Sequence, residues 1–150
     1  MSGESGAERQ ARALKLWIVF SRAHAAVAAR LQADVARHGL TLAEFGILEA
    51  LHHKGELLLN EVKDKILVSS GGVTYLVDRL QKRGLVERRR CERDRRAYYA
   101  VLTPAGAEFV GRIFPEHARC IEDALAGLTP DEQREATVLL RTVGRHAAES

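Results

Sequence analysis

Two short segments of strand character, residues 85–90 and 97–102, face each other across the turn Cys91–Arg96 in a chain whose other periodic segments are helical. Tyr98, Tyr99 and Val101 have good strand propensity, and the turn between the segments is charged and carries no aliphatic or aromatic side chain. This pattern is a hairpin with an exposed basic tip. One hairpin among helices makes the fold class mainly α with a small β-wing.

The charge distribution singles out the same region. Between Arg79 and Arg96 there are nine basic and three acidic residues, a local charge of +6, whereas the whole chain carries only +3. The other 132 residues therefore sum to −3. So local a patch points to a polyanionic partner rather than to a diffuse basic coat.

The helices can be read from periodicity and caps. Residues 8–38 contain no Pro or Gly, and Leu14, Trp17, Ile18, Phe20, Val27, Leu31 and Val35 cover more than one face. That is more apolar surface than a solvated helix needs, and suits a helix shared with a second subunit. Thr41 and Glu44 form a capping box that opens the next helix, which ends at Lys54-Gly55. Residues 57–59 are a short apolar link, and 60–67 a short helix with Val62 and Ile66 inward. Ser69 or Ser70 caps a longer helix with the stripe Val73, Leu76, Val77 and Leu80, closed by Gly84. Residues 70–83 span about 21 Å, long enough to lie along a major groove. Thr103-Pro104 opens a helix that Pro115 is expected to kink, and Thr129 with Glu132 opens the last one.

Helix, short helix, longer helix and basic hairpin make a winged helix-turn-helix. Hydroxyls and free amides at Ser69 and Ser70 suit a phosphate at the positive end of a helix. Thr74, Tyr75 and Arg79 project from the face opposite the apolar stripe, or near its edge, where base edges are met. Gly71-Gly72 allows either close approach to a DNA backbone or close packing on the preceding helix. At the tip, Arg93, Arg95 and Arg96 suit a narrow minor groove, with Asp94 placed to orient one of them. Arg88 and Arg90, on the strand leading to the tip, complete the expected DNA-binding set.

LTLAEFGILEAL (40–51), SSGGVTYLVDRLQKRGLVERR (69–89) and DRRAYYAVLTPAG (94–106) together resemble the MarR family of bacterial transcriptional regulators. The resemblance implies one chain, 1–150, with a winged helix-turn-helix over 40–102 and dimerisation helices at 8–38 and 103–147. It also implies an obligate homodimer on a pseudo-palindromic operator, with wing contacts at Asp94, Arg95 and Arg96. Lys63 departs from the family, which has a small residue there. LKLWIVFSRAH, ILVSSGGVTYLVDRL and IFPEHA are further similar to the repressors that respond to quinones and hydroquinones.

A phenolic or quinone-like effector is the ligand such a resemblance implies, with Trp17, Phe20, His24 and Phe45 as the candidate lining; any one of them alone is better read as filling a core, and only the set points to a pocket. Cys91, among Arg88, Arg89, Arg90 and Arg93, is a candidate redox or electrophile sensor because nearby positive charge favours the thiolate. Cys120 reads as a buried small hydrophobe. Neither His117 with Cys120 nor His52-His53 offers the convergent ligands of a zinc site, so no metal or other cofactor is expected. The absence of a glycine-rich phosphate loop, nucleophile elbow or HExxH argues against an enzyme. Two cysteines make no disulfide framework, the first ten residues are polar, and the densest apolar run is too short for a membrane span. The expected setting is the cytoplasm. The expected function is a DNA-binding regulator, a repressor released by an aromatic ligand or by oxidants; the alternative is a winged module that binds protein or RNA.

Overall fold

The computed structural model describes residues 3–66 and 70–150. Its elements are α1 (Gly6–Ala36), α2 (Leu42–Lys54), β1 (Leu57–Leu58), α3 (Leu59–Ile66), α4 (Ser70–Lys82), β2 (Val86–Arg90), β3 (Tyr98–Leu102), α5 (Pro104–Leu125) and α6 (Pro130–Glu149). They form two compact units, Leu31–Ala118 and Met1–Arg30 with Arg119–Ser150. The first of these carries the wing.

In the winged unit, α2 starts on the expected capping box. The Thr41 hydroxyl accepts the Glu44 N–H at 3.1 Å, and the Glu44 carboxylate accepts the Thr41 N–H at 3.0 Å. Val62 of α3 and Val73, Val77 and Leu80 of α4 are buried with Phe45, Ile47 and Leu48 of α2. Each such side chain stabilises the fold by about 2 kcal/mol. Gly84 stops α4 in the left-handed region, at φ +72°, which glycine adopts without steric cost. The chain then passes directly into a three-stranded antiparallel sheet of order β1-β3-β2. β3 is central, and its Ala100 pairs with Leu57 on one side and Arg88 on the other.

α5 is docked onto the base of the wing. The Thr103 hydroxyl accepts the Gly106 N–H at 2.9 Å and donates to the Gly84 carbonyl at 2.6 Å. The Thr103 N–H donates to the Leu85 carbonyl at 3.1 Å. Gly106 faces that carbonyl so closely that a Cβ there would lie 1.9 Å from the Leu85 oxygen. The glycine of the LTPAG motif is thus required by a backbone approach.

The winged unit extends beyond residues 40–102 and takes in the end of α1 and the first part of α5. Val35, Val110 and Ile113 join its core. His117 is buried there, its Nδ1 2.8 Å from Asp34 Oδ2 and its ring centroid 4.3 Å from that of Phe45. Burial works to raise the Asp34 pKa, but the hydrogen bonds and charges of His117 and Arg37 outweigh it and hold the carboxyl below its ordinary value. α1 ends at Ala36, so His38 and Gly39 lie in the following turn, and α5 is continuous through Pro115.

In the other unit, α6 opens on the expected Thr129–Glu132 capping box and has no buried residue. Leu14, Leu16, Trp17, Ile18 and Val19 of α1, and Val138, Leu139, Leu140 and Val143 of α6, are each 46–62% exposed. Cys120 is half-buried rather than buried, with Sγ 3.8 Å from the Arg30 carbonyl.

Candidate nucleic-acid interface

α4 separates its two faces as the helical period requires. Opposite the buried stripe, Thr74, Tyr75 and Arg79 are exposed. Arg79 is held in place: its Nη1 donates to the Tyr75 hydroxyl at 3.2 Å, and its Nε lies 3.5 Å from Glu44 Oε2. The Tyr75 hydrogen bond, followed by the Glu44 charge, raises the guanidinium pKa above its ordinary value. Ser69 and the expected side-chain role of Ser70 lie outside the described residues. The backbone of Ser70 and Gly71 forms the start of α4.

The wing turn is built by backbone bonds. The Cys91 N–H donates to the Ala97 carbonyl at 2.9 Å, and the Ala97 N–H to the Asp94 carbonyl at 3.0 Å. Among the described residues Asp94 makes no ion pair with an arginine side chain. Its carboxylate instead accepts the Arg96 N–H at 3.0 Å and closes the turn. The short side chain reaches the backbone two residues on more readily than a neighbouring guanidinium. Arg93, Arg95 and Arg96 are exposed, and among the described residues none is in an ion pair.

Arg88 and Arg90 are engaged within the chain. Arg88 donates to the Gln81 side chain at 2.5 Å and the Thr74 carbonyl at 3.3 Å, and lies 2.7 Å from Asp78. It therefore fastens β2 to α4. Arg90 donates to the Tyr98 hydroxyl at 3.4 Å, which together with its charge lowers the phenol pKa. Arg89 pairs with Glu56 and lies over the Tyr99 ring, 5.3 Å from its centroid.

Between α3, α4 and the wing runs a cleft of about 300 Å³ lined by Asn60, Lys63, Thr74, Asp94, Arg96 and Tyr98 among others. Asn60 and Lys63, which the sequence reading did not single out as a site, thus stand beside Thr74, Asp94 and Arg96 of the expected DNA-binding set. The available signal was the polar side of α3, which alternates with inward Val62 and Ile66.

Cys91 is not a water-facing residue of the tip: it is only 7% exposed. The backbone amides of Asp94 and then Arg93, joined by the Tyr99 hydroxyl, lower its pKa against the opposing effect of burial. Trp17 and Phe20 lie together on α1 with ring centroids 6.2 Å apart, and with His24 they are exposed. Phe45 is a core residue of the winged unit. Among the described residues no group of three or more His, Cys, Asp or Glu side chains is placed to hold a metal ion, and no helix is long and apolar enough to cross a membrane.

A sequence model described as the MarR family matches residues 38–97. The chain is also 38% identical over 136 residues to the HTH-type transcriptional regulator MhqR of Bacillus subtilis (strain 168), covering 91% of this chain and 94% of that protein. The chain belongs to the MarR family. Among solved MarR structures, AbsC of Streptomyces coelicolor superposes with a TM-score of 0.84 at 22% identity, covering both chains completely. This is a likeness of fold. BpsR of Bordetella bronchiseptica, whose DNA binding is described as regulated by 6-hydroxynicotinic acid, matches with a TM-score of 0.79 at 27% identity, over 87% of this chain and 98% of its own.

Proposed function

We propose that this MarR-family regulator is a homodimeric repressor of a pseudo-palindromic operator in double-stranded DNA, acting in the cytoplasm without catalysis and released by a small phenolic or quinone-like effector. The observation that carries the DNA reading is the pairing of two features on one unit. The exposed face of α4 presents Thr74, Tyr75 and Arg79, and the adjacent hairpin tip presents Arg93, Arg95 and Arg96 outside any ion pair among the described residues. Arginine at a helix face suits guanine in the major groove, and arginine on a narrow tip suits the minor groove. Lys63 and Asn60 add backbone contacts through the cleft beside Arg96, and Arg88 acts by holding the wing on α4.

The apolar faces of α1 and α6 support a second copy of the chain as partner, since monomers rarely leave such surfaces open. The regulation of the related BpsR by an aromatic acid supports an aromatic effector, with Trp17, Phe20 and His24 as its contacts. Mobility shifts with matched DNA and RNA duplexes separate the repressor from a winged RNA- or protein-binding module; retardation of DNA alone is expected. Titration of phenols and quinones against Trp17 fluorescence tests the effector, and saturable quenching is expected. Oxidation or electrophile attack at Cys91 is the second route of release in this reading, and Cys91→Ser responding to oxidants like the parent would remove it.

A further inference from the structure

Glu44 does more than cap α2. One carboxylate oxygen accepts the Thr41 N–H, but the other, Oε2, is buried and has no hydrogen-bond partner among the described residues. The residue is 1% exposed. A carboxylate so withdrawn from water needs a compensating charge, and the one at hand is Arg79 Nε at 3.5 Å. The Arg79 side chain itself is 49% exposed on the outward face of α4. A guanidinium is a rigid planar fork, so fixing its Nε edge and one Nη fixes the direction of the rest. Glu44 holds the Nε edge from below, and the Tyr75 hydroxyl holds Nη1 from the side.

We infer that Glu44 is a positioning residue for base recognition: buried and out of reach of DNA, it sets the orientation in which Arg79 meets a base edge. This rests on the DNA-binding reading above and names what sharpens it. Without the Glu44 charge, Arg79 keeps its attraction for phosphate but no longer favours one base, because a mobile guanidinium meets several acceptors about equally.

The test begins with duplexes selected from a random library by the unaltered chain, followed by a panel in which each base pair is replaced in turn. If no duplex is selected, the DNA reading itself fails. Given a selected duplex, Arg79→Ala is expected to lose discrimination at one position per half-site. Glu44→Gln, which preserves the capping box because an amide serves there as well, is expected to lose discrimination at that same position by about fivefold. The double variant should be no worse than Arg79→Ala alone. Tyr75→Phe, at an exposed site, removes the other restraint on the same arginine and is expected to relax the same position, whether or not Glu44→Gln folds. A merely structural Glu44 would lower affinity equally for every duplex, or leave the profile unchanged. Either result overturns the inference, as does relaxation at a different position, additivity with Arg79→Ala, or an unaltered profile for Tyr75→Phe.

Discussion

Gly106→Ala offers a severe test of how α5 is docked on the wing. The new Cβ would stand 1.9 Å from the Leu85 carbonyl oxygen and 2.8 Å from its carbon, and real contacts of this kind do not fall below 3.0 Å. Both atoms are backbone, so no side chain can turn away. The start of α5 and the Gly84–Leu85 turn must separate by at least 1.1 Å, the difference between 3.0 and 1.9 Å. That separation breaks the Thr103 bonds to Leu85 and Gly84, which are 3.1 and 2.6 Å long. Two hydrogen bonds at about 1 kcal/mol each, with about 1–3 kcal/mol for overpacking, give a destabilisation of about 3–5 kcal/mol. For a chain of this size the melting temperature should fall by roughly 6–20 °C. Gly111→Ala, in the same helix with nothing within 4 Å of its Cβ position, is the control. It should stabilise by about 0.5–1 kcal/mol through helix propensity alone. Urea and thermal unfolding of both variants measure the contrast. A Gly106→Ala chain as stable as the parent would refute the docking geometry.

Other consequences follow from single contacts. The Asp34 carboxyl titrates lower in the folded chain than in the unfolded one, so its stabilisation is complete above about pH 4 and is lost as pH falls through the depressed folded value. Asp34→Asn should flatten that acid limb of the stability curve, while costing about 1 kcal/mol near neutrality because a neutral amide gives His117 a weaker hydrogen bond than a carboxylate does; an unchanged acid limb would count against the pair. Arg88→Ala should lower stability by about 1–2 kcal/mol through loss of its bonds to α4, and weaken all duplexes alike in binding titrations. Arg95→Ala or Arg96→Ala should leave stability within about 0.5 kcal/mol and reduce the salt slope of DNA affinity by about 1 per lost phosphate contact.

The elements with local chemical signatures were legible in the sequence. The two capping boxes, the stop at Gly84, the stripe Val73–Val77–Leu80 and the charged turn each stand where residue types alone put them, because caps, glycine turns and periodicity are decided within a few residues. Contacts across long separations were not. Asp34 lies 83 residues from His117, and nothing local marks either as one half of a buried pair. Arg88 looked like one more cation of the patch until its partners on α4 were placed beside it, and Asp94 could not be separated from an arginine-orienting carboxylate without the turn. The arginines around Cys91 in the sequence say nothing of its burial, and the fold turns it inward at the base of the turn. In the sequence Glu44 shows only its capping role, because its second oxygen meets a helix 35 residues further along.

The most direct test of the central claim is the salt dependence and stoichiometry of binding to a selected duplex, measured together by fluorescence anisotropy and sedimentation. Two chains per duplex are expected. Arg93, Arg95 and Arg96 from two wings would contribute a slope of log affinity against log salt near −5. A single chain per duplex, or an affinity indifferent to salt, would contradict the account.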